Sequence, residues 1–172
     1  LGRMHRAGQE FPRSRPNPRG PGWWQDTAAA LQNDLAPDEL RLLEDELTYQ
    51  YHNRRVDLPR GVIHADLFHD NALFEDGALT GVIDFYYACS DVLAFDLAIV
   101  ANDWCIHPDG TLNPYRAKAL LHHYHAERPL TRNEEALWPV MLRGAALRFW
   151  LSRLWDYHHP RAGEITSTKD PE

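Results

Sequence analysis

The stretch from Gly61 to Phe85 constrains this chain more than any other. Gly61-Val62-Ile63 is a short apolar strand pattern, Asn71-Ala72-Leu73-Phe74 a second, and Leu79-Thr80-Gly81-Val82-Ile83 a third. Glu75-Asp76-Gly77 between the last two is a turn signal, so 71–83 is predicted to be a β-hairpin. Such a hairpin folds Asp84 back beside Asn71, while Asp66 stands on the loop that leads into it. Three oxygen-bearing side chains are thereby brought towards one point.

That convergence suits phosphoryl transfer. Mg2+ takes oxygen ligands at about 2.0–2.1 Å in octahedral geometry and usually draws only one or two of them from the protein. Asn71 and Asp84 can supply these. A further carboxylate must orient the acceptor hydroxyl in line with the γ-phosphate and take its proton, and Asp66 is placed for that.

On either side the chain reads as helical. Residues 10–22 are rich in Pro, Arg and Gly and are predicted to be a connecting loop whose arginines are solvated. Helices are predicted over about 23–35 and from Pro37, where Leu40, Leu43, Leu47 and Tyr51 recur as a buried stripe. Trp23 and Trp24 are read as core. Further helices are expected over Ala94–Asn102 and Pro114–Ala126, and the pair Thr131 and Glu134 forms a capping box opening another that runs to about Tyr157. Pro139 should kink that last helix or split it. The expected class is α+β, mainly helical. The expected organisation is a linker over 1–22, one domain over 23–160 and a polar tail over 161–172, with both ends cut from something longer.

With 172 residues the chain can bury a single core. Its net charge of −7 argues against nucleic acid or an anionic membrane as partner. The most apolar run, Val92 to Ala101, is too short to span a bilayer and contains Asp96. No signal-peptide pattern opens the chain, and two cysteines, Cys89 and Cys105, cannot build a disulfide framework; a reducing cytoplasm fits. His122 and His125 lie three apart on one helix face, but no third ligand with clear spacing accompanies them, which speaks against zinc. Asp91 and Asp96 follow in an apolar setting where a buried carboxylate needs hydrogen bonds, and Asp96 is expected to brace the Asp66 loop.

The ordered set His64-x-Asp66-x4-Asn71 followed by Ile83-Asp84-Phe85 resembles the catalytic and metal-binding segments of the protein-kinase-like fold, in the variant used by aminoglycoside, choline and homoserine kinases. Within that group, the wording around Gly81 to Cys89, Asn102-Asp103-Trp104-Cys105 and Arg148 to Leu154 is most similar to homoserine kinases, and the resemblance runs through nearly all of 23–172. It implies the C-terminal lobe of that fold, with ATP and Mg2+ as cofactors. It makes Asp66 the catalytic carboxylate, Asn71 and Asp84 the metal and nucleotide contacts, and His64 a buried support.

Two departures stand out: Tyr86 replaces the Gly of the protein-kinase Asp-Phe-Gly, and Phe68 replaces a phosphate-facing Lys, which leaves His69 as a candidate for that duty. An acceptor carrying both an ammonium and a carboxylate needs an acidic or aromatic group and a basic one, for which Asp103, Trp104, Arg148 and Arg153 are candidates. The Gly-rich loop and the Lys–Glu pair that hold nucleotide phosphates in this fold are absent from the chain; in relatives they belong to an N-terminal lobe. The implied reaction is ATP-dependent phosphorylation of L-homoserine on the way to threonine. The alternatives are an aminoglycoside or choline-like acceptor, or a non-catalytic binding module.

Overall fold

A computed structural model describes residues 1–54 and 57–160. The elements, in chain order, are α1 (Gly2–Ala7), α2 (Pro21–Leu31), α3 (Pro37–Asn53), β1 (Arg60–Ile63), β2 (Ala72–Glu75), β3 (Ala78–Val82), β4 (Cys89–Val92), α4 (Leu93–Trp104), α5 (Pro114–Glu127), α6 (Arg132–Ala136) and α7 (Trp138–His158). The expected tail over 161–172 lies outside the described residues.

Helix α4 is the centre of the molecule. Every residue from Leu93 to Ala101 is buried, including Asp96, because α7 covers one side and the β1–β4 ribbon and α5 approach the others. A helix that is apolar all round can only be a core helix. Trp24 and Leu31 of α2, Leu43 of α3, and Met141, Leu147, Leu151 and Leu154 of α7 complete the core. Fully burying one such aliphatic side chain stabilises by about 1.5–3 kcal/mol. Among the described residues no helix is long and apolar enough to cross a membrane.

Local signals set several element ends. Thr131 and Glu134 form the capping box, and Pro139 falls in the first turn of α7, where its missing N–H costs nothing, so the predicted long helix is split at Leu137. Asn113 caps α5 by accepting the amide N–H groups of Tyr115 and Arg116. The β2–β3 hairpin turns at Asp76 and Gly77, both with positive φ, and its register shifts between Leu73 and Phe74.

One expectation is corrected. Tyr51 is exposed, and Gln50 takes its place on the buried face of α3, donating to the Val140 carbonyl at 3.1 Å. The helical repeat brings position 50, not 51, back under α7. Cys89–Val92 is a strand, paired antiparallel with β1 so that Ile63 lies opposite Cys89. Within the first 22 residues α1 is docked, with His5 wholly buried against α4 and α5. One histidine among polar neighbours leaves no apolar period to read.

Candidate active site

Strand β1 ends at Ile63, and the next two residues are tied from below. The Asp96 carboxylate accepts the backbone N–H of His64 at 2.9 Å and of Ala65 at 2.7 Å. Ala65 adopts φ 65°, a left-handed turn that such paired hydrogen bonds can hold against its intrinsic cost. Asp66 follows directly, with its side chain partly open to solvent.

The loop after Asp66 closes on itself through the backbone. Phe68 donates its N–H to the Asp66 carbonyl at 2.9 Å, and Asn71 donates its own to the Phe68 carbonyl at 3.0 Å. The Asn71 side chain donates Nδ2–H to the Asp66 carbonyl at 2.8 Å. Only the nitrogen of an amide can donate there, so its Oδ1 is left as a free-facing acceptor.

The hairpin delivers Asp84 as its strands predict. Ile83 donates its N–H to the Asn71 carbonyl at 3.0 Å, while the Ile83 carbonyl accepts from His64 Nε2 at 2.9 Å. That bond assigns the proton of the neutral ring to Nε2. His64 is fully buried and its ring lies 4.6 Å from that of Phe85, so it clamps the hairpin to the loop and faces no open space. Asp84 sits in the left-handed region at φ 62° and ψ 61°, exposed, and its carboxylate has no hydrogen-bond or ion-pair partner among the described residues.

Arg148 of α7 approaches Asp66, Nη2 to Oδ1, at 3.5 Å. The guanidinium is buried, 3.8 Å from the Phe149 ring centroid and 5.0 Å from that of Tyr87. Burial pushes its pKa down to about 10, against the opposing pull of Asp66. It remains a cation near neutrality. An arginine tolerates this site because its flat, weakly hydrated group stacks on rings.

The other expected substrate contacts are placed differently. Asp103 accepts the backbone N–H of His69 at 2.6 Å and lies 2.9 Å from its Nδ1, while His69 Nε2 stands 3.0 Å from Asp70. Trp104 donates Nε1–H to the Leu67 carbonyl at 3.2 Å. These three residues buttress the outer side of the Asp66 loop. Arg153 lines a separate cleft of about 360 Å3 with Phe68, Asp103, Phe149 and Trp150.

Residues to which the sequence reading gave no site role also surround the site. Tyr87 touches Arg148, and Arg19 lies over both Trp23 and Tyr87. Asp91 is buried and accepts from Asn17 at 2.7 Å and from its neighbour Val92, with Arg60 at 3.0 Å. An arginine beside a Trp pair was the one available signal for the first group.

Among the described residues no three His, Cys, Asp or Glu side chains converge on one point. A cation bound here would draw on few protein oxygens; the Asn71 Oδ1 and the unpartnered Asp84 carboxylate are hard oxygen donors of the kind that could hold Mg2+.

A profile of the phosphotransferase enzyme family matches residues 1–130. The chain belongs to that family. It is 52% identical over 99% of its length to a homoserine kinase of Methylobacillus flagellatus, covering 54% of that protein, and 45% identical to one of Polaromonas naphthalenivorans, covering 56% of it. The chain thus spans about half the length of the curated relatives it matches. Among solved structures, a Plasmodium vivax ethanolamine kinase superposes with a TM-score of 0.66 at 16% identity, over 95% of this chain and 54% of that one. An aminoglycoside-3'-phosphotransferase of type VIII gives 0.55 at 21% identity, over 75% of this chain and 49% of that one. At such identities the likeness speaks for the fold, a mainly helical kinase-like lobe.

Proposed function

We propose that this chain is the catalytic lobe of a kinase that moves the γ-phosphate of ATP to the side-chain hydroxyl of L-homoserine, a cytoplasmic step toward threonine. The observation that carries the reading is the backbone-locked loop: the Asp66 carbonyl receives both the Phe68 amide and the Asn71 side chain, and Asn71 in turn receives the Ile83 amide that precedes Asp84. Relatives of similar sequence named homoserine kinase support the acceptor.

Asp66 is the group that orients the acceptor hydroxyl and takes its proton. Arg148 pairs with that carboxylate and helps to orient it. Asn71 Oδ1 and the Asp84 carboxylate are the magnesium ligands and the contacts to the nucleotide side. Bound there, MgATP supplies the phosphoryl group and neutralises its charge. His64 and Asp96 hold the two segments in register. Residues 23–160 form the kinase-like lobe, and the first 22 connect it to an N-terminal lobe carrying the phosphate-clamping elements, which the greater length of the relatives supports.

ATP-dependent phosphorylation of homoserine, choline and kanamycin tests this, using the chain alone and the chain extended to the length of its relatives. Turnover of homoserine in the extended protein only is the expected result, because positioning by both lobes supplies most of the rate. Turnover of choline or kanamycin in preference to homoserine would overturn the acceptor. Clear turnover by the 172-residue chain alone would overturn the two-lobe reading.

A further inference from the structure

We infer that Arg19 grips the carboxylate of the amino-acid acceptor, an assignment that rests on the proposed homoserine kinase reading and deepens it. Arg19 lines a cleft of about 470 Å3 whose walls also include Trp23, Tyr87 and Asp84. The cleft therefore opens beside one of the two proposed metal ligands.

The guanidinium lies 4.2 Å from the Trp23 ring centroid and 5.8 Å from that of Tyr87. It makes no hydrogen bond or ion pair among the described residues, so its forked edge has donors to spare. The same Tyr87 ring lies 5.0 Å from the Arg148 guanidinium, which is paired to Asp66. One aromatic ring thus links the group that faces the acceptor hydroxyl to an open guanidinium. A short hydroxy amino acid presents a carboxylate a few bonds from its hydroxyl, as that arrangement requires.

The loop that carries Arg19 is built to hold it still. Asn17 Oδ1 accepts the Arg19 N–H at 2.8 Å, and the Arg19 carbonyl accepts Trp24 Nε1–H at 2.7 Å. Asn17 itself donates to the buried Asp91 at 2.7 Å. A backbone fixed on both sides, with the side chain stacked on a ring, loses little freedom on binding. Arg15, which lines the same cleft, donates to the Tyr86 carbonyl at 3.0 Å, while Arg148 faces Asp66 and Arg153 lines the other cleft. A planar carboxylate matches the two parallel N–H bonds a stacked arginine can offer.

The test compares Arg19→Ala and Arg19→Lys with wild type in the extended protein, measuring KM for homoserine and for ATP and the Ki of 3-amino-1-propanol, which is homoserine without its carboxylate. Loss of a charge-assisted pair raises KM for homoserine about 10–100-fold in Arg19→Ala, with Arg19→Lys intermediate. KM for ATP and Ki for 3-amino-1-propanol should stay within about twofold. An equal rise for both acceptor analogues would make Arg19 a strut for the loop, and a rise confined to ATP would make it a phosphate contact; either overturns the inference while the homoserine kinase reading stands. Absence of homoserine turnover in the wild type would remove that reading, and this one with it.

Discussion

The imidazole of His5 stands 3.0 Å from the carboxylate of Asp96, both wholly buried, although they lie in the first helix and the central one. They belong to one buried chain of polar groups. Glu134 pairs with Arg128 at 2.8 Å, Arg128 reaches the Tyr124 hydroxyl at 3.3 Å, and that hydroxyl lies 2.7 Å from His5 Nδ1. At the far end Asp96 holds the His64 and Ala65 amides, so helices α1, α5 and α6 are wired to the backbone under Asp66.

Breaking that chain should destabilise the lobe through its unmatched remnants. Asp96→Asn sets an amide against backbone donors, and His5→Ala strips the carboxylate of one of three donors. We expect each to cost about 2–4 kcal/mol in urea unfolding, and Tyr124→Phe about 1–2 kcal/mol. A loss below 0.5 kcal/mol in Asp96→Asn, on the order of a neutral surface change, would contradict the bracing role.

Asp66→Asn in the extended protein should lower kcat by about 10²–10⁴ with KM for ATP nearly unchanged, as for loss of a positioned acid–base group. Arg148 acts through the same carboxylate, so Arg148→Ala combined with Asp66→Asn should cost less than the two separate losses together. Retention of more than a tenth of wild-type kcat in Asp66→Asn would exclude the assigned role.

Asp84→Ala separates chemistry from folding. The carboxylate is exposed and unpartnered, and Asp84 already occupies the left-handed region, so its replacement by alanine costs at most about 1 kcal/mol of added backbone strain. Circular dichroism should be unchanged while magnesium-dependent turnover disappears. Normal turnover at ordinary magnesium concentration would rule Asp84 out as a ligand.

Stability should fall at alkaline pH. Burial, the largest cause in each case, raises the Cys89 thiol from 9.0 to about 12 and the Tyr124 phenol from 10.0 to about 12. The unfolded chain releases these protons first, so their contribution is complete below pH 9 and is lost as pH climbs towards 12. Urea unfolding between pH 8 and 11 measures this, in a range chosen about the ordinary thiol and phenol values. Cys89→Ala should flatten the part of the decline that begins near pH 9, and an unaltered profile would show that the thiol is not its source.

The local grammar of the chain determined the Asp66 to Asp84 segment, because a turn signal between two apolar runs fixes a hairpin, and a hairpin fixes which residues meet at its base. The Thr131 and Glu134 box and the break at Pro139 were legible for the same reason: each depends on neighbours within one turn. Only the tertiary structure decided the rest. Whether Gln50 or Tyr51 faces inward depends on where α7 lies, and Cys89–Val92 becomes a strand because β1 offers it an edge. His5 finds Asp96, Asp103 turns to His69, and Arg19 comes to lie near Tyr87 through contacts between residues far apart in the chain. A polar side chain carries no periodic signal of its partner, since its hydrogen bonds are satisfied by whichever group the packing of the apolar core brings within reach.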